Sequence, residues 1–382
     1  MGTRILHISD LHFGRAFRES DRSLRDRLLQ RGGMRGHDFQ LVSSLSARVH
    51  RIARQSGKFD LALVTGDVST DGAPESMSNA AKLLFEDEIF TSTPGHFIVN
   101  GLGLAVSSVI AIPGNHDRYK LLPLQLDFGT FESQFLTHRK GYPFVVAYSN
   151  SDLGDDKCPI ILFAFDSSAV NNPPFGLKPH ELIARGYIDD AACEWLEIKA
   201  HQIRNEGLTP ELNGKMLPVD FDRCVKIVLI HHHPIEFPDI QAPLLLEAEK
   251  LAQRRHQITK KIKDQWTTLL NREKFLKACF ASGIDLVLFG HQHLFLHREL
   301  GEDLKEIINP HIFTRSIHFY GCPTTLQWTE SEIGFLVYRI EWSGFNVDYF
   351  GWNEEEQKFE RNPSRSGTFP FRRGRQQKAS SV

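Results

Sequence analysis

The chain has 382 residues, 41% of them hydrophobic, 24% charged and 10% aromatic, with a formal net charge of -2. Those proportions exclude fibrous and wholly disordered chains, and the length allows one large domain or two ordinary ones. No apolar run reaches the roughly 18 residues of a membrane-spanning helix. The strand-like run at 4–8 starts too close to Met1 for a signal peptide, and Leu6 breaks the myristoylation pattern after Gly2, so a cytoplasmic protein is expected. Five cysteines (Cys158, Cys193, Cys224, Cys279, Cys322), without a C-x-x-C pair, read as reduced thiols in a reducing compartment.

In chain order, short apolar runs at 4–9, 61–65, 106–112, 160–166, 225–230 and 285–289 read as strands. Helices are expected at 38–55, where Leu41, Leu45, Val49 and Ile52 recur at helical spacing, at 74–88 after Pro74, and at 189–204. Strands alternating with helices predict an α/β protein with largely parallel sheets. Past residue 290 the runs 295–300, 317–321, 334–342 and 345–350 suggest a second, more antiparallel sheet. Residues 1–360 are expected to form the main domain, with a helical insertion at 244–282. Within it Leu251, Ile258, Ile262, Trp266 and Leu269 form an apolar stripe and the other faces are basic. From 361 to 382 there are six basic residues and no acid, which predicts a disordered basic tail.

Five motifs follow strands. Asp10-Leu11-His12 places a carboxylate and an imidazole at i and i+2, on one side of an extended segment; alone it is weak, since about one D-x-H arises by chance in a chain this size. Gly66-Asp67 puts a carboxylate at a strand's carboxyl edge, where open α/β sheets bind ligands, although a single such Asp is more often a turn former. Gly114-Asn115-His116-Asp117 is more specific, because that order of small and polar residues rarely follows a strand by accident. His231-His232-His233-Pro234 has no ready structural explanation, and Gly290-His291-Gln292-His293 repeats the one-sided spacing of the first motif. Together these motifs offer carboxylate or amide oxygens and four imidazoles, enough to hold two divalent ions with Asp67 bridging them. Mixed nitrogen and oxygen donors without thiolates suit Mn, Fe, Zn, Co or Ni rather than a structural zinc site.

The order D-x-H, G-D, G-N-H-D, H-H-x-P, G-H-x-H, spanning Asp10 to His293, resembles the calcineurin-like metallophosphoesterase superfamily. The opening 5–14 and the helix carrying Trp195 and Leu196 resemble its bacterial cyclic-nucleotide phosphodiesterase branch. The resemblance implies a four-layer α-β-β-α sandwich of two mixed sheets, with metals at the carboxyl ends of the central strands. It implies Asp10, His12, Asp67 and His293 for one metal and Asp67, Asn115, His231 and His291 for the other. The fourth motif carries an extra histidine: His231 aligns best with the ligand position, and His232 is the alternative. Such a pair of ions holds a bridging hydroxide and clamps a phosphoryl oxygen. His116, diverging from its neighbour Asn115, is placed to hydrogen-bond the phosphoryl or protonate the leaving oxygen, with Asp117 expected to orient its ring.

The expected activity is hydrolysis of a nucleotide or other small phosphodiester. The alternatives are a metal-dependent nuclease and a phosphomonoesterase of the same superfamily, or a non-enzymatic scaffold, which the intact ligand set disfavours. Both ends of the insertion emerge near the metals, so Arg254, Arg255, Lys260 and Lys261 are expected to hold a phosphate-bearing substrate there. No membrane partner is expected, nucleic acid stays open as a partner, and pI ≈ 6.8 weighs against a nucleic-acid binder.

Overall fold

The structure, a computed structural model, describes residues 2–14, 36–90, 98–121, 124–127, 129–136, 141–148, 153, 157–168, 186–210, 216–235, 269–301, 316–327 and 332–372. Twelve strands build two six-stranded sheets. They are β1 (Thr3–Ile8), β2 (Leu61–Thr65), β3 (Val109–Ile112), β4 (Phe144–Tyr148), β5 (Ile160–Ala164), β6 (Val225–Leu229), β7 (Leu286–Phe289), β8 (Leu296–Leu300), β9 (Ile317–Gly321), β10 (Gly334–Glu341), β11 (Gly344–Asn353) and β12 (Lys358–Pro370). The first sheet runs β12-β11-β10-β1-β2-β3 and the second β8-β9-β7-β6-β5-β4. Strands β1, β2 and β3 are parallel, as are β5, β6, β7 and β9, and the remaining strands join antiparallel.

The helices that matter here are α1 (Phe39–Ser56), α2 (Pro74–Phe85), α3 (Asn115–Arg118), α4 (Thr130–Phe135), α5 (Asp190–Glu206) and α6 (Arg272–Ala281). Parallel neighbours need a crossover, and α1, α2, α5 and α6 supply four of them. Asp38 caps α1 by accepting from the N–H groups of Gln40 and Leu41, and Asp189 caps α5 through Ala192.

Side-chain alternation sorts the strands into layers. Leu6, Ile8, Ala62 and Val64 face α1 and α2, against Leu41, Leu45, Val49, Met77 and Leu83. Ile161, Phe163, Val228 and Val287 face α5 and α6, against Leu196, Ile203, Phe275 and Cys279. The intervening positions, Ile5, Leu61, Leu63 and Ile110 on one sheet and Leu162, Ile227, Leu229 and Leu288 on the other, meet between the sheets. This is the expected α-β-β-α sandwich.

Three expectations change. The strands after residue 290 form no sheet of their own: β8 and β9 extend the second sheet, while β10, β11 and β12 extend the first. Residues 361–370 are strand rather than disordered tail, because β12 pairs along β11 and buries Phe359 against α1's layer. The end of the 244–282 segment is integral to the fold: Leu269, Phe275, Leu276 and Cys279 are buried in the α5 layer. Residues 373–382 and 236–268 lie outside the described residues.

Candidate metal centre

The five motifs converge because both sheets present their parallel strands' carboxyl ends to one rim. Asp10 and His12 follow β1, Asp67 follows β2, Asn115 follows β3, His231 follows β6, and His291 and His293 follow β7. Backbone hydrogen bonds stitch the turns together: Asp10 N–H donates to the Gly66 carbonyl at 3.0 Å, His12 N–H to Asp67 at 2.9 Å and Gly290 N–H to His231 at 3.1 Å. The glycines make room for this closeness. A Cβ on Gly114 would overlap the Asp67 carboxylate, one on Gly66 the His231 ring, and one on Gly290 the Ser9 hydroxyl and Asp10.

The backbone is strained where these side chains leave it. Asp10, His12, Asp67, His291 and His293 all have φ between 49° and 72°. Left-handed conformations cost a non-glycine residue about 1–3 kcal/mol each and persist only where the surroundings enforce them. Among the described residues Gln357 alone of the other non-glycines shares this conformation.

Six of these side chains are in direct polar contact. His293 Nε2 lies 3.2 Å from Asp10 Oδ1 and 3.4 Å from His12 Nε2, which is itself 3.9 Å from Asp10 Oδ1 and 4.0 Å from Asp67 Oδ2. His231 Nε2 lies 3.3 Å from Asp67 Oδ2 and 3.0 Å from Asn115 Oδ1. Its Nδ1 donates to the Thr65 carbonyl at 2.7 Å, which fixes the tautomer. Nε2 then turns a lone pair toward two oxygens, an arrangement that calls for a cation, either a proton or a metal. Burial opposes charge on His231, but Asp67 and then Asp10 outweigh it and raise its pKa to about 9. Burial pushes His12 down to about 3, keeping it neutral. Burial would raise Asp10, yet His293 and His231 hold it at about 2. Ionised carboxylates beside imidazoles, all buried or half-buried, are a donor set suited to divalent ions.

A family model for calcineurin-like phosphoesterases matches residues 3–295. The chain belongs to the calcineurin-like phosphoesterase family. It is therefore a metal-dependent phosphoesterase working with two divalent metal ions, for which the rim supplies ligand groups. A dimetal phosphatase from Danio rerio has a similar fold, with a TM-score of 0.51 at 9% identity over 97% of this chain and 98% of that one. A predicted phosphoesterase from Streptococcus pneumoniae gives a TM-score of 0.32 at 12% identity over 96% of this chain and 97% of that one. The Vps29 protein of Chaetomium thermophilum gives 0.34 at 8% identity over 99% and 100%. No curated protein matches the chain.

Other residues of the phosphoesterase divide around this centre. His232 lies beside them, with Nδ1 2.9 Å from the Ser167 hydroxyl and its ring 4.3 Å from that of His291. One donor atom from each of His231, His232 and His291 falls within the same 4.8 Å cluster. His116 lies at the centre, its ring 5.0 Å from that of His12. Asp117 does not orient it. The Asp117 carboxylate accepts N–H groups of Val68 at 3.1 Å, Ser69 at 2.8 Å and Gly114 at 2.9 Å, tying the Asp67 turn to the Asn115 turn. Burial and the nearby Asp67 charge push its pKa up to about 7 against those three donors. The Thr70 carbonyl holds His116 instead, taking Nδ1–H at 2.9 Å. Thr65, Thr70 and Ser167 were not visible as site residues in the sequence, because two act through backbone carbonyls and none belongs to a motif. Arg254, Arg255, Lys260 and Lys261 lie outside the described residues. Lys274, on the described end of that segment, pairs with Asp190 at 2.9 Å.

Proposed function

We propose that this phosphoesterase hydrolyses a nucleotide or other small phosphodiester. Asp10, His12, Asp67 and His293 hold one ion; Asp67, Asn115, His231 and His291 hold the other. The observation that carries the assignment is the gathering of these seven side chains at one rim, with His231 Nε2 aimed between Asp67 and Asn115. When bound, two divalent ions activate water at neutral pH and offset the charge that builds on the phosphoryl oxygens.

The chain's own residues do the rest. With Nδ1–H given to the Thr70 carbonyl, His116 turns Nε2 to the substrate, where a proton can pass to the leaving oxygen. Asp117, engaged by three backbone N–H groups, fixes the turn from which Asn115 and His116 project. Thr65 sets the His231 tautomer in the same way. Arg118, at the end of the Asn115–Arg118 helix, is paired with Glu132 and Asp166. Five free, buried cysteines fit a reducing compartment such as the cytosol.

Initial rates in Mn²⁺ on a chromogenic phosphodiester and the matching monoester, with Asn115→Ala as control, test the reading. The expected result is a faster diester rate that the control abolishes. A faster monoester rate makes the protein a phosphatase and overturns the diester assignment.

A further inference from the structure

Strand β6 runs into three histidines, of which the proposed ligand set takes the first. His231 and His232 are fully buried, His291 is half-buried, and the three rings converge. Ring centroids are 5.0 Å apart for His231 and His232, 5.0 Å for His231 and His291, and 4.3 Å for His232 and His291. One donor nitrogen from each residue lies within 4.8 Å of the others.

The surroundings hold the His232 ring in place. Ser167 Oγ lies 2.9 Å from His232 Nδ1 and accepts the His232 backbone N–H at 3.2 Å, so one hydroxyl fixes both the ring and the turn it leaves. Gly186, with φ of 43°, packs on the ring so closely that a Cβ there would overlap it. An apolar side chain would fill the same space at lower cost, because imidazoles buried side by side give up the hydration of their ring nitrogens. A cation shared by the three rings offsets that loss.

We propose that His232 is a further ligand of the ion held by Asp67, Asn115, His231 and His291. Its Nδ1–H goes to Ser167 and its Nε2 to the ion, the same division of roles that the Thr65 carbonyl imposes on His231. The assignment rests on the proposed ligand set and adds one residue to it. The two positions then differ in chemistry. Asp10, Asp67, His12 and His293 offer two carboxylates and two imidazoles. The other position offers one carboxylate, one amide oxygen and three imidazoles. Carboxylates suit Mn²⁺ and imidazoles suit Zn²⁺, so the second position selects Zn²⁺ over Mn²⁺ more strongly than the first.

The test counts coordinated rings by NMR. Full-length protein with ¹⁵N-labelled histidine is loaded with ¹¹³Cd²⁺, whose nuclear spin splits the resonance of each nitrogen bound to it. The expected result is a split nitrogen from each of His12, His231, His232, His291 and His293, with one split lost in His232→Asn. Four split nitrogens in the wild type, or five that persist in His232→Asn, overturn the proposal and leave the dinuclear centre standing. Fewer than four overturn the proposal and the ligand set together. If His232→Asn does not fold, the wild-type count alone decides. Competition between Zn²⁺ and Mn²⁺, followed by calorimetry, tests the selectivity. His232→Asn is expected to lower the Zn²⁺ preference of the second position by about tenfold or more, and an unchanged preference overturns it.

Discussion

His231 is fixed by the Thr65 carbonyl at one nitrogen and faces Asp67 and Asn115 with the other. In the metal-free protein that second nitrogen takes a proton, since the pKa is raised to about 9. On the proposed ligand set, metal and proton compete for one lone pair. Below pH about 9 each ion bound at this position releases a proton, so apparent Mn²⁺ affinity should rise with pH, by up to about tenfold per unit, and level off near 9. Calorimetric titrations across that range check it, and a pH-independent affinity contradicts it. His116 makes a separable prediction. His116→Ala should lower kcat by about 10²–10⁴-fold while bound metal per chain is unchanged; a variant with near-normal turnover would reduce His116 to a structural role. The residues that gather at the rim were legible in the sequence because each follows an apolar strand. The partner of His116 was not, since a backbone carbonyl such as that of Thr70 has no signature in side-chain pattern and Asp117 was the nearest acid in sequence.

Strands show the same limits on another scale. The central strands β1, β2, β5, β6 and β7 announced themselves because burial on both faces makes them continuous apolar runs. The edge strand β12 did not: over Lys358–Pro370 it is rich in Arg, Asn, Ser, Gly and Pro, and its order comes from pairing with β11. Which sheet a strand joins was equally illegible, since alternation fixes the face a side chain takes and says nothing of the neighbour. Phe359 tests the importance of that edge. It is fully buried, 5.3 Å by ring centroids from both Phe335 and Trp352. Phe359→Ala should cost about 3–5 kcal/mol in urea unfolding; a loss far below that would make β12 a dispensable tail after all. The turns make a matching prediction. Gly114→Ala places a methyl group against Asp67, so overpacking should cost about 1–3 kcal/mol and reduce metal binding. Unchanged metal content in that variant would contradict the close fit.

At the scale of the molecule, the first sheet contributes Asp10, His12, Asp67 and Asn115, and the second contributes His231, His291 and His293. On the proposed ligand set, ions bound between them would cross-link two layers that otherwise meet through the apolar interior of the sandwich and through polar contacts such as His231 Nδ1–H to the Thr65 carbonyl. Loading with metal at a hundredfold excess over Kd should therefore stabilise the fold by about 2.7 kcal/mol, read as a rise in Tm that chelation reverses. On the proposed ligand set both halves depend on Asp67, whose Oδ2 lies 4.0 Å from His12 and 3.3 Å from His231. Elemental analysis of protein reloaded with Mn²⁺ and desalted tests that dependence directly. Two ions per chain in the wild type and no more than one in Asp67→Asn are the predicted result. A wild-type chain that keeps one ion or none, or an Asp67→Asn chain that keeps two, would contradict the account.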